Sequence, residues 1–275
     1  MDWYFDVISP YAYLQSTRLQ ELNAAEPVRC VPVLFAGLLD HWDNIGPAEV
    51  APKRLATFRT IAWVAARDGI ALKLPPRHPF NPLPLLRASQ ALNNDLKVVQ
   101  RLFRFVWAEG HTPEDAPAFD ALLAELGLNR EAIAADSVKS ALREHGERAI
   151  AQGVFGVPSL VIDDQVFWGD DATDIARSYL ASRTGQPAPE GQPAWPAQAM
   201  AAAAALPEGK SRPRIDRSAS VGAGAKGTGL APAAGPRILC YRWILPSPPN
   251  WSGRCGRAAV ESCWNSIACC CTARL

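Results

Sequence analysis

Between residues 48 and 152 apolar side chains recur at helical spacing, and strand-like patterns occur only before and after that interval. This order restricts the fold more than any other feature of the chain. The runs APKRLATFRTIAWVAARDGI, LPLLRASQALNNDLKVVQRLFRFVWAEG, FDALLAELGL and REAIAADSVKSALREHGERAIAQG are separated by Pro, Gly and Asn, which stop helices. Upstream, Trp3, Phe5 and Val7 alternate as a strand near 2–7, a helix is predicted over 10–23, and VRCVPVLF predicts a strand over 28–35. Pro32 removes a ladder donor and so favours an edge or a strand end. Downstream come PSLVID (158–163), a turn at Asp164, QVFW (165–168) and a helix from near Asp171 to about Arg183.

The opening β-α-β predicts a parallel strand pair with a right-handed crossover. Followed by a long helical insertion and then β-β-α, it is an α/β arrangement of thioredoxin type. The expected parts are an N-terminal βαβ portion at 1–47, helices at 48–152, a ββα portion at 153–185, and a tail at 186–275. The tail is rich in Pro, Gly, Ala and Ser without sustained period, so it is expected to be disordered.

Residues 1–183 hold 18 Lys+Arg against 23 Asp+Glu, a balance not built to attract nucleic acid. No apolar run is long enough to suggest a membrane span, and MDWYFDV enters a strand at once, without the pattern of a signal peptide. Cys30 is the single cysteine before residue 184, so no internal disulfide is expected there, and a cytoplasmic location is. The remaining cysteines crowd positions 240, 255, 263, 269, 270 and 271 without the paired spacing of a zinc ribbon; the four histidines, His41, His78, His111 and His145, show no metal-ligand spacing and are expected at the surface or at caps. No metal is expected.

Chemistry concentrates where the first strand runs into the first helix, YFDVISPYAYLQ. Ser9 is a suitable N-cap, and Pro10 at the first helical position loses no bond. In thioredoxin-type proteins a reactive cysteine pair occupies this junction; here SPYA stands in its place, which excludes dithiol exchange by the chain's own sulfur at this spot. Val157-Pro158, opening the third strand beside Ser9, is the second signal. A cis bond there would turn the Val157 backbone toward an extended peptide ligand, whereas a trans proline would simply start a strand.

Together YFDVISPYAYL, NIGPAEVAPKR, PRHPFNPLPLLRA, GVFGVPSLVID and VFWGDDATDIA resemble the 2-hydroxychromene-2-carboxylate isomerases, glutathione-dependent members of the kappa-class glutathione transferase and DsbA-like group. The resemblance spans about residues 1 to 183 in order. It implies glutathione as cofactor, with Ser9 donating a hydrogen bond to the thiolate. It places Asn44 and Lys53 at the glutathione pocket, Val157 against the tripeptide backbone, and Asp170 with Asp171 at the γ-glutamyl end. Tyr11, Phe80 and Asn81 would line the pocket for a small aromatic carboxylate. The implied reaction adds the thiolate, opens the chromene ring, turns a carbon–carbon bond and releases a trans-hydroxybenzylidenepyruvate, as in naphthalene-like aromatic catabolism; the resemblance also suggests a homodimer. The same thiol site would serve a kappa-like transferase or peroxidase, and the fold alone would serve a non-catalytic peptide-binding scaffold.

Overall fold

In the computed structural model, residues 1–206 are described; the cysteine-rich end and the low-complexity run before it lie outside the described residues. Four strands, β1 (Asp2–Phe5), β2 (Arg29–Pro32), β3 (Ser159–Ile162) and β4 (Gln165–Trp168), form one sheet in the order β2-β1-β3-β4. β1 pairs parallel with β2 and antiparallel with β3, which pairs antiparallel with β4. Pro32 ends β2 on the sheet edge, where its missing N–H leaves no ladder bond unmade.

The alternation in β1 sends its side chains to two cores. Trp3, Phe5 and Val7 face the helices, and Tyr4 faces the smaller cluster of Val31, Val33, Leu38, Ala149, Val154, Val157 and Val161. Trp3 and Phe5 stack at 4.8 Å between ring centroids, and both touch Phe103 of α6 (Leu96–Trp107). The 48–152 interval holds six helices: α4 (Ala51–Arg67), α5 (Leu83–Ala91), α6, α7 (Ala116–Glu125), α8 (Arg130–Ala134) and α9 (Asp136–Ala151). They share one buried cluster with the sheet rather than closing a core of their own. Asp95, Asp115 and Asn129 cap α6, α7 and α8 through side-chain oxygens, as short polar residues before an apolar run should.

Two local expectations fail for identifiable reasons. The helix predicted over 10–23 breaks into α1 (Pro10–Ser16) and α2 (Leu19–Ala25). Ser16 Oγ and Thr17 Oγ1 donate back to the carbonyls of Tyr13 and Leu14, competing with the backbone ladder, and Arg18 is drawn into an ion pair with Asp174. The strand predicted to run to 35 instead stops at Pro32, and α3 (Phe35–His41) begins there because the Phe35 N–H donates to Asp6 Oδ2 at 2.9 Å. A cap supplied from 29 residues away leaves no local signal.

Past α10 (Ala172–Arg183) the tail expected to be unstructured from 186 is ordered at first. Trp195 sets its indole 4.9 Å from the Tyr179 ring and 5.9 Å from that of Phe167, and α11 (Ala197–Ala204) follows. One large aromatic anchors a segment whose composition is otherwise that of a linker. Among the described residues no helix is long and apolar enough to cross a membrane.

Candidate active site

β1 delivers the chain into a four-residue loop whose backbone carbonyls and side chains are hydrogen-bonded. Asp6 is fully buried; its carboxylate accepts from Ile8 N at 3.0 Å and from Phe35 N, and its backbone carbonyl accepts from Ser9 N at 3.0 Å. Burial without a cationic neighbour pushes its pKa up to about 7. Ser9 then caps α1 in an extended conformation, φ −86° and ψ 115°, accepting from Ala12 N at 3.2 Å. Its hydroxyl donates to the Val157 carbonyl at 3.3 Å, a long bond that a better acceptor would displace. Pro10 has no N–H, so Tyr11 N–H is the first-turn donor left without a partner among the described residues.

The Val157-Pro158 peptide is cis, and Val157 is 7% exposed, with its carbonyl on Ser9 and its N–H unpaired among the described residues. The structure therefore brings Ser9 and Val157 into direct contact across 148 positions of sequence. Gln15, buried on the same helix, carries the site onward. Its side-chain oxygen accepts from Trp3 Nε1 at 2.7 Å, and its Nε2 donates to Gly169 O and Thr173 Oγ1, each at 2.9 Å. This fixes the Gly169-Asp170-Asp171 turn against α1. Gly169 adopts φ 100°, and a Cβ there would lie 2.5 Å from Asp171 Oδ1, so only glycine fits.

Asp170 holds a buried Oδ1 with no hydrogen-bond partner. Burial raises its pKa to about 6, assisted by the charges of Asp171 and Asp68 and opposed by Arg18 and Arg67. Asp171 is exposed at the start of α10 and makes no capping bond, although aspartate is a good cap at a helix start; Thr173 Oγ1 donates to Asp170 O. Tyr11, on α1, is half-buried; burial raises its pKa, opposed by Thr60 of α4 and assisted by the charges of Asp171 and Asp170.

The remaining expected site residues divide. Phe80 is buried beside His78, at 6.3 Å between rings. Asn81 is exposed, and its Oδ1 accepts from Leu83 N at 3.1 Å, a local turn bond at the start of α5. Asn44 is also exposed, with Oδ1 on the next residue's N–H at 2.8 Å, and Lys53 stands exposed in the first turn of α4. Among the described residues neither of them is hydrogen-bonded to Ser9.

His78, expected on the surface or at a cap, is instead half-buried: its Nε2 meets Ile8 O at 3.0 Å among the rings of Phe58, Phe80 and Trp107. Asp6, Gln15, His78 and Trp107 are the site-forming residues that pattern did not identify. The available signal was an acid inside the apolar run YFDVI.

Cys30, the one cysteine among the described residues, is buried on β2, and burial reinforced by Asp95 pushes its thiol up to about 12. It is neither exposed nor ionised at neutral pH. Among the described residues no group of three His, Cys, Asp or Glu side chains is placed to hold a metal ion. A groove of about 430 Å³ lies elsewhere, lined by Tyr13, Thr17, Ile70 and Arg104, and includes none of the residues above.

Residues 1–181 match the DSBA-like thioredoxin domain. The chain belongs to that family. It is 28% identical over 193 residues to 2-hydroxychromene-2-carboxylate isomerase of Sphingobium xenophagum, covering 66% of this chain and 97% of that relative. It is also 27% identical over 215 residues to glutathione S-transferase kappa 2 of Caenorhabditis elegans, covering 70% and 96% respectively. A solved 2-hydroxychromene-2-carboxylate isomerase shares the fold, with a TM-score of 0.58 at 24% identity over 66% of this chain and 95% of that one. In this chain Ser9 and Ala12 occupy the two positions where thioredoxin-type proteins carry a reactive cysteine pair.

Proposed function

We propose that this chain is a glutathione-dependent isomerase acting on 2-hydroxychromene-2-carboxylate-type substrates. The observation that carries the reading is the Ser9 hydroxyl at the mouth of α1, weakly held by the Val157 carbonyl, in a fold whose one thiol among the described residues, Cys30, is buried. The likeness in sequence to the Sphingobium xenophagum isomerase supports the substrate class.

The residues present fit glutathione. A thiolate beside Ser9 would receive the hydroxyl hydrogen bond now spent on Val157 O, with the unpaired Tyr11 N–H as a second donor. Both stabilise the anion over the thiol and lower the bound sulfur's pKa. Val157 N–H and C=O would pair with the tripeptide backbone as a short extended strand. Asp170, whose orphaned buried oxygen has no other partner, would receive the γ-glutamyl ammonium, with Asp171 beside it. Lys53 and Asn44 would close on the ligand from α4 and the segment before it, and Tyr11, Phe80 and Asn81 would face the aromatic substrate.

When bound, glutathione supplies a thiolate nucleophile that joins the substrate and leaves again after a carbon–carbon bond has turned. The chain's part is to keep that sulfur ionised and aimed; Ser9 donates a hydrogen bond and forms no covalent bond. A cytoplasmic setting, where thiols stay reduced, suits this use of sulfur.

The kappa-class relative makes a conjugating transferase the second reading. An assay with substoichiometric glutathione separates the two. Approach to the isomer equilibrium over many equivalents of chromene carboxylate per glutathione, with total free thiol unchanged, supports isomerisation; turnover that stops at one conjugate per glutathione refutes it.

A further inference from the structure

The loop that presents Ser9 is held from the helical segment by two ring donors. Trp107, fully buried at the end of α6, donates its indole Nε1 hydrogen to Val7 O at 2.8 Å. His78, in the α4–α5 connection, meets the next carbonyl, Ile8 O, at 3.0 Å. A carbonyl only accepts, so the His78 Nε2 carries the hydrogen and the neutral ring's lone pair lies on Nδ1. That Nδ1 is buried with no partner.

An apolar ring would pack as well among Phe58, Phe80 and Trp107 without stranding a polar atom there. What an imidazole offers in exchange is the bond to Ile8. Burial and the positive charge of Arg54 hold the ring below the ordinary histidine range, which keeps it neutral near pH 7. Trp107 is itself fixed, since its carbonyl accepts from Lys73 N at 2.7 Å and its ring lies 5.6 Å from that of His78.

Both carbonyls between Asp6 and Ser9 are therefore tied to the same aromatic group, while Asp6 ties the loop's N–H side to α3. We propose that His78 and Trp107 are positioning residues that set Ser9 through the Ile8 and Val7 carbonyls, so that the helical segment fixes the thiol-binding geometry of the thioredoxin-type part. With either donor missing, a carbonyl beside the site is left unpaired, the loop shifts to find water, and the Ser9 hydroxyl leaves its line to the bound sulfur. The inference rests on the reading of Ser9 as the group that holds glutathione's sulfur.

The test measures the pKa of protein-bound glutathione by thiolate ultraviolet absorbance, with kcat and KM, for Ser9→Ala, Trp107→Phe, His78→Phe and His78→Gln in the full chain. The Ser9→Ala, Trp107→Phe and His78→Phe variants are expected to raise the bound thiol's pKa by about one unit, a tenfold loss of thiolate at a fixed pH below it. They should lower kcat by about tenfold or more while KM for glutathione changes much less. His78→Gln places an amide N–H near the Nε2 position and should restore most of the shift. The His78 pair, at a half-buried position, keeps the test open if Trp107→Phe does not fold.

A shift in Ser9→Ala with none in either Phe variant overturns the positioning role and leaves the function standing. No shift in Ser9→Ala overturns both. A His78→Phe shift that His78→Gln fails to restore overturns the donor role of His78, since packing alone would then explain the loss.

Discussion

Asp6 makes the sharpest prediction, because a fully buried carboxyl without a counter-charge must make stability depend on pH in a known direction. Its pKa is raised from 3.8 to about 7 in the fold, so folding favours the protonated form. The resulting stability is fully present below the unfolded value, is lost as pH rises through the interval up to about 7, and is gone above it. A difference of about three units corresponds to about 4 kcal/mol at most. That is a ceiling, because local opening of the loop would let water reach the carboxylate. The perturbation is Asp6→Asn, which keeps one oxygen for Ile8 or Phe35 and removes the titration. Asn also turns an amide donor toward the other N–H, lowering stability by an amount that does not depend on pH. The assay is urea unfolding of both proteins from pH 4 to pH 8, read as the difference between them. Histidines and other carboxylates titrate in both and cancel. The advantage of wild type over Asp6→Asn should shrink by roughly 2 to 4 kcal/mol as pH rises across that range. A difference that stays flat within about 0.5 kcal/mol would refute the reasoning.

Ser9→Ala loses the α1 cap and the bond to Val157, so about 1 kcal/mol of stability should go with it, seen as a fall in Tm of about 2–4 °C. Binding of S-methylglutathione, which has no titrating thiol, should tighten as pH rises through about 6 and Asp170 ionises; calorimetry on Asp170→Asn should show weaker binding with that rise gone. Trp195→Ala uncovers Phe167 and Tyr179 and should cost about 1–2 kcal/mol in urea unfolding without altering kcat, since its ring contacts on β4 and α10 include none of the proposed site residues.

The order of elements was legible because each strand and most helices carry their own period. Ser9 and Pro10 were legible as a cap for the same reason: capping is a local rule, and the residues involved are neighbours. What escaped was built over distance. α3 begins at Phe35 because Asp6 receives its N–H, and the helix after Ser9 stops at Ser16 because two hydroxyls turn back on it while Arg18 is pulled toward Asp174. Gln15 reads as one more polar residue on a helix, yet it is buried and holds Trp3, Gly169 and Thr173 at once. His78 looked like a surface residue because a Pro-rich connection is ordinarily solvated; here it is folded against an aromatic wall made by Phe58 of α4, Phe80 of the same connection and Trp107 of α6.

The serine at position 9 also decides which thiol chemistry this scaffold can support. A cysteine there would meet glutathione's sulfur as a partner in exchange and could be trapped as a mixed disulfide, whose fate is set by potentials and by a resolving thiol. Serine offers the same N-cap geometry and a stronger hydrogen-bond donor, and it has no oxidation state to change at the potentials of the cell. With Cys30 buried and held protonated, no second sulfur among the described residues can intervene. Sulfur brought to Ser9 can therefore leave as it arrived, which is what a reaction that only rearranges its substrate requires. The acid beneath the loop, Asp6, and the two ring donors beside it supply rigidity through hydrogen bonds, and burial favours the uncharged forms of both Asp6 and His78 beside the anion. Restoring cysteine by Ser9→Cys should separate the two chemistries: mass spectrometry is expected to find glutathione covalently attached under mildly oxidising conditions, with isomerase turnover falling as the adduct accumulates. Turnover undiminished by a fully formed adduct would show that the sulfur site lies somewhere other than position 9.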